Sequence, residues 1–255
     1  MQYLLRRLTR VLVALVAFIA CGKSWGDSLP KGPGKQVAVF IPLCDNEHQG
    51  IAPVPPGIGK GDDLAGNLYW GCGEALPKQL RASKSWQKPQ AFREYDGRPA
   101  AVLEAQVCTR SDLSATLYIF AYRGDSIRSC QEDFEAALIS GQYALVAFSG
   151  HNALMDYEAE EPQPNKDTTA ADSIVLCCLS REYFEPRLRL LGSRPVLLTR
   201  QLMYPAGAVM LAAIEAWLHT PRDVSAIRAA AGKAYAANQR ISQRAALTIF
   251  ADLQK

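Results

Sequence analysis

Several common signatures are missing from this chain. No Cys-x-x-Cys pair occurs, so a structural zinc site has little support. No glycine-rich phosphate loop follows a strand-like run. The nearest stretch, GIGKG at 57–61, lacks the hydroxyl and the strand–helix context of a P-loop, which leaves nucleotide binding unsupported. There is no internal repeat, no heptad run and no second long apolar span. Histidine is scarce, with only His48, His151 and His219.

What is present begins with a leader. Arg6, Arg7 and Arg10 precede an apolar run, Val11 to Ala20, about half as long as a membrane span requires. Two processing routes fit residues 1–26: cleavage after Ser24-Trp25-Gly26, or a lipobox at Phe18-Ile19-Ala20 that makes Cys21 a lipidated N-terminus. Both predict export to the periplasm or beyond, with membrane attachment only through a lipid on Cys21. The leader holds four cations and no anion, so its removal takes the formal charge from +3 to −1. No basic stripe remains, which argues against a nucleic-acid partner. Residues 27–255 suit one α/β domain. Six cysteines follow Cys21, at 44, 72, 108, 130, 177 and 178. An oxidising compartment would permit disulfides, but several of these residues lie in apolar segments, where Cys acts as a small hydrophobe.

The pattern alternates strand and helix. Strands are expected at 36–43 (QVAVFIPL), 100–108, 115–122, 143–149, 173–177 and 194–201. RSDL at 110–113 marks either a hairpin or an irregular crossover. Asp63 reads as the cap of a glycine-interrupted helix, Ser129 and Glu132 as a capping box, and Gly141 as a helix stop. Further helices are expected at 182–191, from Pro205 through Leu218, where His219 suits the helix dipole, and after an Asp223 cap. This order implies a mostly parallel central sheet flanked by helices on both faces. Ligands of such sheets bind beyond the carboxyl ends of the strands. Two of those ends carry chemistry: YALVAFSGH stops on His151, and SIVLCCLS stops on Cys177 and Cys178.

That arrangement resembles the cysteine peptidases of the caspase, legumain and gingipain clan. In that clan one apolar block ends in His-Gly, and a second ends in a small residue followed by the nucleophile. The resemblance implies a caspase-like fold and an exported cysteine peptidase without a cofactor or metal, acting on a peptide or protein substrate. Cys178 would be the nucleophile and His151 the acid/base, with Cys177 at the small-residue position. Side chains alternate along a strand, so only one of the two cysteines can face the site. Backbone donors for the oxyanion would come from Cys178 and from the Gly150–Asn152 turn. Asn152 departs from the clan's glycine, although Asn tolerates a left-handed turn. The competing expectation is a non-catalytic caspase-like domain serving as an envelope binding or scaffold module.

Asp45 and Asn46, just after the first strand, would lie at the same sheet edge. There Asp45 could pair with a basic substrate side chain, and Trp70 could line the cleft. The alternative is a polar loop with Asx turns. A metal held by Cys44, His48 and His151 lacks recognisable ligand spacing.

Overall fold

The computed structural model describes residues 32, 34–92 and 100–254. The leader, with Cys21, lies outside them. In β1 (Lys35–Pro42) every residue from Val37 onward is buried, as a strand covered on both sides requires. Next come α1 (Leu76–Ala82), β2 (Gln90–Phe92), β3 (Val102–Arg110) and β4 (Ala115–Tyr122). The pairing of β3 with β4 is antiparallel, so RSDL belongs to a hairpin. The chain continues through α2 (Ile127–Leu138), β5 (Leu145–Ser149), β6 (Asp172–Leu176), α3 (Ser180–Leu190) and β7 (Pro195–Leu198). It closes with α4 (Gly207–His219), α5 (Val224–Gln239) and α6 (Gln243–Leu247).

All seven strands join one sheet in the order β2-β3-β4-β1-β5-β6-β7. The strands from β4 to β7 are mutually parallel, and β3 and β2 add an antiparallel edge. Alternation along the strands divides the core in two. Val37, Val39 and Ile41 of β1 face α1, α4, α5 and α6, with Leu76, Ile214, Ile227 and Phe250. Ala38 and Phe40 face α2 and α3. There Phe134 packs against Phe40, Phe148 and Phe184 with ring centroids 5.8 to 6.2 Å apart. The strands ending near 42, 149 and 176 are therefore adjacent and parallel. After β4 the chain crosses to the far side of β1, so the strand order changes direction between β1 and β5, the place where sheets of this type bind ligands.

Two expected helix starts fall elsewhere. Residues 63–75 form successive turns, and α1 begins only at Leu76. The cause is Asn67, a buried amide that hydrogen-bonds the Cys44 backbone in both directions and the Lys60 carbonyl. Its own carbonyl takes the N–H groups of Trp70, Gly71 and Cys72, which closes the chain into a loop. α2 starts at Ile127, after a 3-10 turn at Gly124–Ser126, so Ser129 and Glu132 sit inside the helix rather than in a capping box. Asp223 does cap α5, accepting the Ala226 N–H at 2.9 Å.

Candidate active site at the ends of β5 and β6

β5 stops because Gly150 turns the chain against β1. A Cβ at Gly150 would lie 3.0 Å from Pro42 Cγ, closer than a side chain fits comfortably. The Gly150 N–H donates to Leu176 O at 3.2 Å. This corrects the sequence expectation, because a donor committed to β6 cannot hold an oxyanion. Gly150 instead ties the two strand ends together. His151 follows, buried, and then Asn152, fully buried. Asn152 is not left-handed; at φ −88° and ψ 90° it caps a 3-10 turn at Ala153–Met155. Its side chain takes the Leu154 N–H at 3.1 Å and donates to Cys178 O at 2.7 Å. The residue that departs from the clan pattern thus bridges the His turn to the Cys turn.

β6 ends by splitting its two cysteines. Cys177 points into the aromatic core and is fully buried, which pushes its thiol well above the usual range. Cys178 is half-exposed in the turn before α3. Alternation therefore selects Cys178. Leu179, next in line, is left-handed at φ 52°, a conformation costing a residue with a Cβ roughly 1–2 kcal/mol. Buried hydroxyls hold it there. Ser180 Oγ donates to Val175 O at 2.8 Å, and the Thr199 N–H donates to Ser180 Oγ at 2.8 Å. Thr199 Oγ1 accepts the Ser180 N–H and donates to Cys177 O. The Leu179 N–H is taken by Gln201 O at 3.1 Å.

Burial also keeps other thiols protonated. It pushes Cys44 up to about 11 and Cys108 up to about 12, and it holds Cys130 well above the usual range. Cys178 differs in surroundings as well as exposure. Its sulfur takes the Met203 N–H at 3.5 Å and lies 3.7 Å from Met203 O. It also immediately precedes Leu179, the N-cap residue of the 11-residue α3. The N–H groups of Cys178 and Asn152 have no acceptor among the described residues. Each of the two turns thus carries one backbone donor without an acceptor among the described residues. The His151 ring makes no direct hydrogen bond to Cys178 in this state. Its Nε2 instead lies 2.6 Å from Asp156 Oδ2.

Asp156 was not legible in the sequence. It opens the acidic stretch DYEAEEP, where a carboxylate reads as a solvated loop residue. The one available signal was Asn152 as the cap of a short turn, which brings residue 156 back over residue 151.

The expected substrate pocket is not built as anticipated. Asp45 is buried and occupied: it accepts the Glu47 N–H at 2.9 Å, the His48 N–H at 3.3 Å and His48 Nδ1 at 2.9 Å. Gly61 and Gly124 press on it so closely that a Cβ would come within 2.1 Å of its Oδ2 and 2.4 Å of its Cβ. Asn46 clamps its own loop through both backbone groups of Val54. These residues line a cavity of about 330 Å³ with Lys60, Asp62, Arg123 and Asp125, and neither His151 nor Cys178 borders it. Trp70 is buried in the core against β1 and does not line a cleft. Cys44, His48 and His151 are not gathered around one point, since each histidine faces its own aspartate. All six described cysteines are free thiols.

Compared with known proteins, the chain matches no protein-family model, no curated protein and no solved structure.

Proposed function

We propose that this chain is an exported cysteine peptidase-like enzyme of the caspase, legumain and gingipain type, with Cys178 as nucleophile and His151 as acid/base. The observation that carries the reading is the parallel pairing of β5 with β6. It brings a buried histidine and a half-exposed thiol out at one sheet edge, joined by the Asn152–Cys178 hydrogen bond. The two turns share one sheet edge because the strands are adjacent, not because the residues are close in sequence.

In the reaction, His151 takes the Cys178 proton and the thiolate attacks a peptide carbonyl carbon. The carbonyl oxygen becomes an oxyanion, held by the N–H groups of Cys178 and Asn152. The tetrahedral species collapses, the C–N bond breaks, and the amine leaves with the proton from His151. Water, deprotonated by His151, then cleaves the thioester and restores the thiol. A resting separation between base and nucleophile is compatible with this chemistry, because such hydrogen bonds often tighten only when substrate binds.

The test is cleavage of a diverse peptide mixture by the chain lacking residues 1–26, read by mass spectrometry. New termini should appear with the wild type and vanish in Cys178→Ala and His151→Ala. Cleavage that survives Cys178→Ala would overturn the assignment. A wild type that cuts nothing, yet binds an envelope partner equally well with or without Cys178, would favour the scaffold reading.

A further inference from the structure

We infer that Asp156 is a positioning residue for His151, holding the imidazole with its Nε2 proton on the carboxylate and its Nδ1 lone pair open; this rests on the peptidase reading above. A neutral imidazole has one donor and one acceptor nitrogen. Asp156 Oδ2, 2.6 Å from Nε2, can only accept, so it fixes the proton on Nε2. Nδ1 is left as the proton acceptor a thiol needs. When His151 takes that proton, the same carboxylate faces the new imidazolium.

The carboxylate is fixed although it is partly exposed. Its backbone N–H closes the 3-10 turn on Ala153 O at 2.9 Å, and Met155 N–H returns to Asn152 O at 3.1 Å. The next residue, Tyr157, donates its hydroxyl to Gln131 Oε1 at 2.9 Å and lies under the Arg128 guanidinium at 4.2 Å. From the other side, the Gly50 N–H reaches Asp156 Oδ2 at 3.2 Å. Gly50 approaches so closely that a Cβ there would lie 2.4 Å from Asp156 Oδ1. The loop after β1 therefore sets where the carboxylate stands. The turn and the Gly50 loop both hold the His–Asp contact, and α2 anchors the next residue, Tyr157, which is more than an incidental surface pair requires.

The test uses alkylation of Cys178 by iodoacetamide at pH 7 in the folded chain. Labelled sites are mapped by mass spectrometry, with Cys72 as the half-exposed reference. Cys177 and Cys130 report unfolding, since they should stay unlabelled in any folded variant. Asp156→Ala should slow Cys178 roughly tenfold, the equivalent of one pK unit of thiolate population, and leave Cys72 unchanged. Asp156→Glu should recover most of the loss, which a merely structural role would not produce. Gly50→Ala removes no charge but displaces the carboxylate, so it should slow Cys178 as well. It decides the matter if Asp156→Ala exposes Cys177. A Cys178 rate unchanged in both Asp156→Ala and Gly50→Ala, with His151→Ala still slow, would overturn the role of Asp156 and leave the dyad standing. A rate indifferent to His151→Ala would bring down the underlying reading instead.

Discussion

The molecule contains two histidine–aspartate pairs with inverted burial. At the end of β1, Asp45 is 7% exposed and His48 52%. At the end of β5, His151 is 8% exposed and Asp156 39%. The contacts are similar, at 2.9 and 2.6 Å, so proximity alone does not distinguish them. What differs is which partner the fold holds. The β1 loop buries the carboxylate, which gathers N–H groups from Glu47 and His48 and packs on two glycines, leaving its imidazole to solvent. The β5 turn buries the imidazole beside a second turn that carries a thiol. On the proposed reading, the buried imidazole of the β5 turn is the partner available for chemistry, whereas the buried carboxylate under the exposed His48 fastens a loop.

The largest expected contrast comes from deleting each histidine in turn. His151→Ala should lower peptide turnover by about 10²–10⁴-fold, the usual worth of a positioned acid/base. His48→Ala should leave turnover within about twofold, because its ring faces Asp45 and not the turn that carries His151. Equal losses would erase the distinction. A comparison of stability comes next. Asn152→Ala removes the amide that satisfies both Cys178 O and Leu154 N–H, so urea unfolding should show a loss of about 1–3 kcal/mol. Asp45→Asn keeps an acceptor for the loop N–H groups and should cost at most about 1 kcal/mol. It should leave Cys178 alkylation and the peptide cleavage pattern unchanged. A selective loss of cleavage after Arg or Lys in Asp45→Asn would restore Asp45 to the substrate pocket.

The smallest effect is a titration. The hydrogen bond to Asp45, together with that carboxylate's charge, raises the His48 pKa above its ordinary 6.5. The folded state thus holds its proton to higher pH than the unfolded chain. The resulting stabilisation is complete below about 6.5 and is lost as pH rises through the higher folded value. NMR titration should place His48 above 6.5 and show it falling back in Asp45→Asn. An unshifted His48 would mean the pair is not formed in solution.

The parts legible from sequence follow a physical pattern. β1, β5 and β6 are continuous apolar runs because both their faces are covered, and such runs stand out in any chain. Strand alternation implied that only one of Cys177 and Cys178 could face the site, and the full burial of Cys177 in the structure is what tells them apart. The turns were harder to read. Asp63 looked like a helix cap, but the helix was displaced by Asn67, whose partners Cys44 and Lys60 lie outside the local pattern. Asp45 looked available until Gly61 and Gly124 arrived from distant segments to bury it. Asp156 carries no local signal, because its partner Gly50 belongs to the loop after the neighbouring strand β1, more than a hundred residues earlier. Asn152 was identified for its backbone, yet its side chain carries the contact that spans the site. Strands follow from local apolar pattern, whereas the polar contacts here depend on which loops meet.

The most direct test of the central claim is covalent capture by a panel of peptidyl acyloxymethyl ketones, which require an activated thiolate beside an oxyanion site. The adduct is located by mass spectrometry in the wild type and in His151→Ala. A thioether should form on Cys178, depend on the peptide portion and be lost in His151→Ala. Modification of Cys72 instead, or equal labelling of Cys178 with and without His151, would contradict it.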